Sequence, residues 1–199
     1  MGLGNPGAQY RRTRHNVGVR AIEALAQTHT VSTWRSKFQA KLADVPDLDA
    51  LLLLPQTFMN DSGESVAGCV AFYHFPLESV LVVCDDINLP FARLRFRREG
   101  SDGGHNGLKD IIAALHSPDF ARLRIGIGRS GMDAIGHVLG TFSPDEERAL
   151  PGVLQRTCAG METFCRGDAA AAIALVNANS GDPASEEPPG LGKERPNGR

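Results

Sequence analysis

One histidine, one carboxylate and three side-chain amides are the residues of this chain whose types and surroundings suit chemistry. His15 lies in YRRTRHN, which begins at Tyr10, and Asp85 follows the apolar run 80–84. Asn5, Asn60 and Asn106 each sit in a loop-like motif: GLGNPG, TFMND and GGHNGLKD. An imidazole oriented by a carboxylate can deprotonate water, while neutral amides hold a carbonyl and a sugar hydroxyl. Such a set suits a hydrolysis that needs no metal and no cofactor. Spacing alone does not bring the five together.

The neighbouring motifs have competing readings. Asp85 and Asp86 at a strand end resemble a magnesium site, but no Walker lysine loop and no third clustered acid accompany them. One aspartate orienting an imidazole is the better reading, with the other left to bind backbone amides in the turn that follows. GLGNPG lacks the third glycine of a dinucleotide fingerprint, so it reads as a tight turn presenting Asn5. The run 100–107, GSDGGHNG, is a flexible loop that opens a helix and lets a substrate approach the backbone. In it His105 is either a second base or a partner packed beside Asn106. Arg93, Arg95, Arg97 and Arg98 crowd together without an intervening acid, and Lys109, Arg122 and Arg124 add to them. Such a bias suits phosphate contacts rather than a merely solvated face. No GxSxG motif offers a nucleophile, which disfavours an acyl-enzyme.

The elements that must position these residues read as an α/β domain. Apolar runs at 51–54 and 80–84 are buried strands, and 93–97 and 122–127 alternate with period two. Helical spacing marks 62–74 and 108–115. Ser143, Pro144 and Glu146 form an N-cap, a first-turn proline and a capping-box acid, with Pro151 expected to end or kink that helix. Asp168 is placed to cap the alanine-rich run up to Val176. The alternation predicts a three-layer α/β sandwich around a mixed, mainly parallel central sheet. Residues 1–179 read as one domain and 180–199, rich in Gly, Pro and charge, as a disordered tail. For a strand leading into the GLGNPG turn only Met1, Gly2 and Leu3 are available, so either the first strand is a stub or the start lies too late.

Bulk properties bound the rest. At 199 residues, 42% hydrophobic and 22% charged, the chain can bury a real core. A net charge of -2 argues against whole-protein attraction to nucleic acid, though not against a local basic stripe. Cys69, Cys84, Cys158 and Cys165 form neither CxxC pairs nor a zinc spacing and read as reduced thiols of an intracellular, cytoplasmic protein. No segment has the length and apolarity of a membrane span.

Taken in order, GLGNPG at Gly2, YRRTRHNVG at Tyr10, LLLLPQTFMNDSG at Leu51, LVVCDDINLP at Leu81, GSDGGHNGLKDI at Gly100 and FARLRIGIGR at Phe120 resemble the bacterial-type peptidyl-tRNA hydrolase family. The resemblance implies a monomeric α/β enzyme that cleaves the ester between a peptide and the 3′ ribose of tRNA, without cofactor. By matching motif, it implies His15 as general base and Asp85 as its orienter. Asn5, Asn60 and Asn106 would bind the peptide and terminal ribose, with Tyr10, Met59 and His105 along the cleft. Arg97 and Arg124 match basic positions facing the tRNA, with Arg95 nearby. Two features depart from the family: the short first strand, and Asp102 in the glycine loop. Two other functions remain open at this level. One is a non-catalytic RNA-binding relative acting in splicing; the other is a metal-dependent hydrolase using Asp85, Asp86 and His105.

Overall fold

The structure, a computed structural model, describes residues 1–129, 131 and 133–178. The tail expected at 180–199 lies outside the described residues.

Helix α1 (Val17–Thr28) starts directly after the His15 motif and buries Val17, Ala21, Ile22 and Leu25 along one stripe. An antiparallel meander follows: β1 (Arg35–Lys37), β2 (Ala40–Val45) and β3 (Ala50–Pro55). Next come α2 (Ser62–Tyr73), β4 (Leu81–Asp86), β5 (Leu94–Arg97), α3 (Asn106–Leu115) and β6 (Ala121–Gly126). The chain then turns helical, with α4 (Ala134–Leu139), α5 (Pro144–Cys165) and α6 (Ala169–Ala178).

Strand β4 pairs in parallel with β6, and β6 pairs antiparallel with β5. Beside them, β1–β2 and β2–β3 are antiparallel, which corrects the expected mainly parallel sheet. The cause lies in the connections. The Phe38 and Gln39 backbones take φ of 53° and 50°, a tight reversal that only antiparallel neighbours allow. An apolar run such as 51–54 carries no sign of strand direction. Residues 1–3 lie between the two sheets. Gly2 N–H donates to Leu53 O at 3.1 Å and Leu3 N–H to Val83 O at 3.0 Å, while Val83 N–H donates to Met1 O at 2.8 Å.

Side chains of β4 alternate between two apolar clusters. Leu81 and Val83 join α1 and the Leu150, Val153 and Met161 side of α5. Val82 and Cys84 join Leu3, Val66 of α2, and Leu108 and Ile111 of α3. Each such buried aliphatic side chain contributes about 1.5–3 kcal/mol. An apolar cavity of about 560 Å³, lined in part by Met1, Ile22, Leu52, Leu81 and Phe164, opens at the end of β4 away from Asp85.

Helix α5 runs through Pro151 without ending there, so the first of the two expected outcomes, an end at Pro151, does not occur. Proline removes one backbone donor, but Pro151 is exposed, so the carbonyl left over can bond water while Leu150 and Val153 stay packed. The capping box forms as read: Glu146 N–H donates to Ser143 Oγ and Ser143 N–H to Glu146 Oε2. Asp168 accepts from Ala171 N–H at the start of α6. All four cysteines are free, and burial pushes the Cys158 thiol up to about 11. Among the described residues no helix is long and apolar enough to cross a membrane.

Candidate active site

The site begins where α1 meets the sheet. Gly18 lies so close to β4 that a Cβ on it would sit 2.3 Å from the Val83 carbonyl oxygen. That contact brings the preceding turn, residues 14–16, against the C-terminal end of β4, where Asp85 is 3% exposed. His15 Nδ1 lies 2.8 Å from Asp85 Oδ1. On the other side His105 Nε2 reaches the same oxygen at 3.0 Å. The two imidazole rings are 5.1 Å apart.

These partners set the tautomers. Leu108 N–H donates to His105 Nδ1 at 3.3 Å, so His105 caps α3 and keeps a lone pair on that nitrogen. Its Nε2 therefore carries the proton and donates to Asp85. Burial raises the Asp85 carboxyl, but the histidines, His105 foremost, outweigh it and hold Asp85 well below the usual carboxylate range. An ionised Asp85 only accepts, so His15 donates from Nδ1 and its Nε2 keeps a free lone pair.

Asn5 is held by Asn16. Asn16 Nδ2 donates to Asn5 O and Asn16 Oδ1 accepts from Asn5 N–H, each at 2.9 Å. The Asn5 side chain in turn accepts from Met59 N–H at 2.8 Å. Met59 is buried beneath α3, where a Cβ on Gly107 would lie 2.6 Å from its sulfur. Asn60 is exposed on the turn after Met59 and donates to Asp61 Oδ1. Asn106 is exposed as the first residue of α3. Tyr10 stands edge-on to Phe58, with ring centroids 6.5 Å apart, and Phe58 is 54% exposed.

The basic residues divide. Arg95 faces Arg124 across β5–β6, and Arg97 faces Arg122. Arg97 is exposed, whereas Arg122 is 1% exposed and bonds Pro118 O and the Gly100 and Ser101 carbonyls. Arg122 is thus no part of a solvent-facing cationic strand. Arg124 is largely covered and bonds Asp86 Oδ2 at 3.3 Å and Ser101 O at 2.7 Å. Both arginines pin the loop leading to His105. Asp86 is further taken by Asn88 N–H at 2.8 Å, as the turn reading anticipated. The candidate metal group among the described residues is therefore His15, Asp85 and His105, whose ligand atoms lie within 4.8 Å of one another. An ion there would displace both hydrogen bonds to Asp85.

Sequence reasoning passed over Asn16 and Phe58 as site residues. Their signal was adjacency: Asn16 follows His15 and Phe58 precedes Met59.

By class, this is an α/β protein with a histidine–carboxylate cluster at the C-terminal end of a parallel strand. A family model described as peptidyl-tRNA hydrolase matches residues 1–184, and the chain belongs to that family. It is 49% identical to a peptidyl-tRNA hydrolase of Synechococcus sp. (strain CC9311), over 81% of this chain and 83% of the relative. It is 44% identical to the peptidyl-tRNA hydrolase of Chloroflexus aurantiacus, over 83% and 91%. The crystal structure of peptidyl-tRNA hydrolase from Acinetobacter baumannii superimposes with a TM-score of 0.83 at 36% identity, covering 89% of this chain and 92% of that one.

Proposed function

We propose that, in the hydrolysis of peptidyl-tRNA that family membership carries, His15 Nε2 takes a proton from water as that water attacks the ester carbonyl. The imidazolium then returns the proton to the departing 3′ oxygen of the ribose, leaving a free peptide carboxyl and tRNA. Asp85, anionic and bonded to His15 Nδ1, stabilises the charge that appears on the ring. Asn5 fits the oxyanion: with its Oδ1 taken by Met59 N–H, its Nδ2 is turned away and able to donate. Asn60, exposed on the turn after Met59, and Asn106, exposed at the start of α3 beside His105, suit the peptide and the terminal ribose, with Tyr10 along the peptide path.

Arg97, with Arg95 beside Arg124, suits the tRNA phosphates. The apolar clusters on either side of β4 support a three-layer arrangement. The reading carries with it a monomer acting in the cytoplasm.

The observation that carries the mechanism is the single Asp85 oxygen shared by two imidazoles whose tautomers are both set. The experiment is turnover of an N-acetylated aminoacyl-tRNA with and without chelator, alongside the unacetylated aminoacyl-tRNA. Turnover that survives chelation and prefers the blocked substrate is expected. Loss on chelation would move the chemistry to an ion among His15, Asp85 and His105. No turnover at all would favour the RNA-binding relative.

A further inference from the structure

The His15 segment is tied on a second side, to elements that carry none of the residues assigned above. Thr13 bridges Thr141, and Arg14 N–H donates to Gly140 O at 2.9 Å. The Arg14 guanidinium reaches Thr141 O through Nη1 and Glu146 Oε2 through Nη2, both at 2.7 Å. It also lies over the Phe142 ring, 5.3 Å from the centroid. Glu146 Oε2 is the same atom that takes Ser143 N–H in the capping box of α5. Arg14 therefore docks on the cap of a 22-residue helix, one residue before His15.

We propose that Arg14 is a positioning residue for His15, fixing the backbone that carries the imidazole against the junction of α4 and α5. This rests on His15 being the base. Its side chain is only 13% exposed and both ends of its fork are engaged, so it does not present itself to a phosphate. Arg12, two residues earlier and 75% exposed, meets Glu147 only at 3.9 Å and stays largely in solvent. The planar fork matters: a carbonyl and a carboxylate oxygen are met at once, which the single ammonium of lysine cannot reproduce.

Arg20 supplies the comparison. It forms a bidentate pair with Glu147 at 2.9 Å and lies over the same Phe142 ring, so it too is anchored on the start of α5. It stands inside α1, however, five residues past His15. A purely structural ion pair and a positioning one are thus separated on one surface.

The test measures kcat, KM and melting temperature for Arg14→Ala, Arg14→Lys, Glu146→Gln, Arg20→Ala and His15→Ala on an N-acetylated aminoacyl-tRNA. Arg14→Ala is expected to lose about tenfold or more in kcat with KM within a factor of about two, as expected for a group acting only through the base. Arg14→Lys and Glu146→Gln should fall between it and the wild type. Arg20→Ala should melt lower but keep its kcat. If Arg14→Ala does not fold, the lysine and Glu146→Gln variants carry the same comparison. Arg14 variants that melt lower at full kcat would overturn the proposal, and so would a rise in KM that flattens with salt. If His15→Ala itself stays active, the base assignment fails instead, and the two failures are told apart.

Discussion

Asn16 closes both backbone polar groups of Asn5, donating to its carbonyl oxygen and accepting from its N–H, each at 2.9 Å. Since Asn16 follows His15, one residue ties the base segment to the amide proposed for the oxyanion. Replacing Asn16 by alanine leaves two partly buried backbone groups unpaired, at about 1–3 kcal/mol each. Asn16→Ala should melt lower and lose about tenfold in kcat, the rate change that ~1.4 kcal/mol of misplacement makes. Wild-type kcat in a stably folded Asn16→Ala would show that the clasp is not needed.

His15→Ala should lose about 10²–10⁴-fold in kcat with little change in KM, the ordinary contribution of a general base. Asp85→Asn should lose less. An amide oxygen can still accept one ring N–H, but not with the charge that steadies an imidazolium. Single-turnover rates decide it: His15→Ala above about a tenth of the wild-type rate is incompatible with a base worth ~10²-fold or more.

Asp85 also predicts an acid dependence of stability. Its carboxyl titrates lower folded than unfolded. Its contribution is therefore fully present above the unfolded value, near ~3.9, and is lost as pH falls from there toward the folded value. Asp85→Asn should show a flatter fall in unfolding free energy below about pH 4. Glu146, Glu147 and Asp44, also held low, remain in both proteins and cancel in the difference. Parallel curves for the two proteins would remove the histidine pairing as the cause.

His105 joins two jobs, capping α3 and donating to Asp85. His105→Ala should lose both: about 0.5–2 kcal/mol for the cap, and a substantial part of kcat. Asparagine caps well but has no ring to reach Asp85. His105→Asn should therefore recover the melting temperature while kcat stays low. Recovery of both would reduce His105 to a cap.

Arg97→Ala and Arg124→Ala should differ in kind. Arg97 is exposed, so its loss should raise KM and reduce the salt slope by roughly 0.7–0.9 if it meets one phosphate. Arg124 is spent on Asp86 and Ser101 O, so its loss should also loosen the loop ahead of His105 and lower kcat. Wild-type KM at every salt concentration for Arg97→Ala would leave that stripe a solvated face.

What the sequence made legible were features with a short-range signature. The capping box at Ser143 and Glu146, the helix of α3 and the buried run of β4 each announce themselves within a few residues. The pairing of His15 with Asp85 was readable as chemistry, though 70 residues separate them. Helix α1, strands β1 and β2 and helix α4 were not read. β1 is three exposed residues with no apolar alternation, and α4 has only six residues. The burial of Arg122 was hidden for another reason. Alternation with apolar neighbours looks the same whether the charged face meets water or, as here, the carbonyls of a loop.

The contact of Gly18 with the Val83 carbonyl has a bearing on how freely this chain can drift. Helix and strand meet there backbone to backbone, with no side chain between them to swell, shrink or repack. The spacing of base and orienter is thus inherited from main-chain geometry, which a side chain at Gly18, or at Gly2 packed against the Gly18 carbonyl, would force apart. The apolar residues beneath, Val17, Ala21 and Ile22, can exchange for others of similar bulk and the cost falls on stability alone.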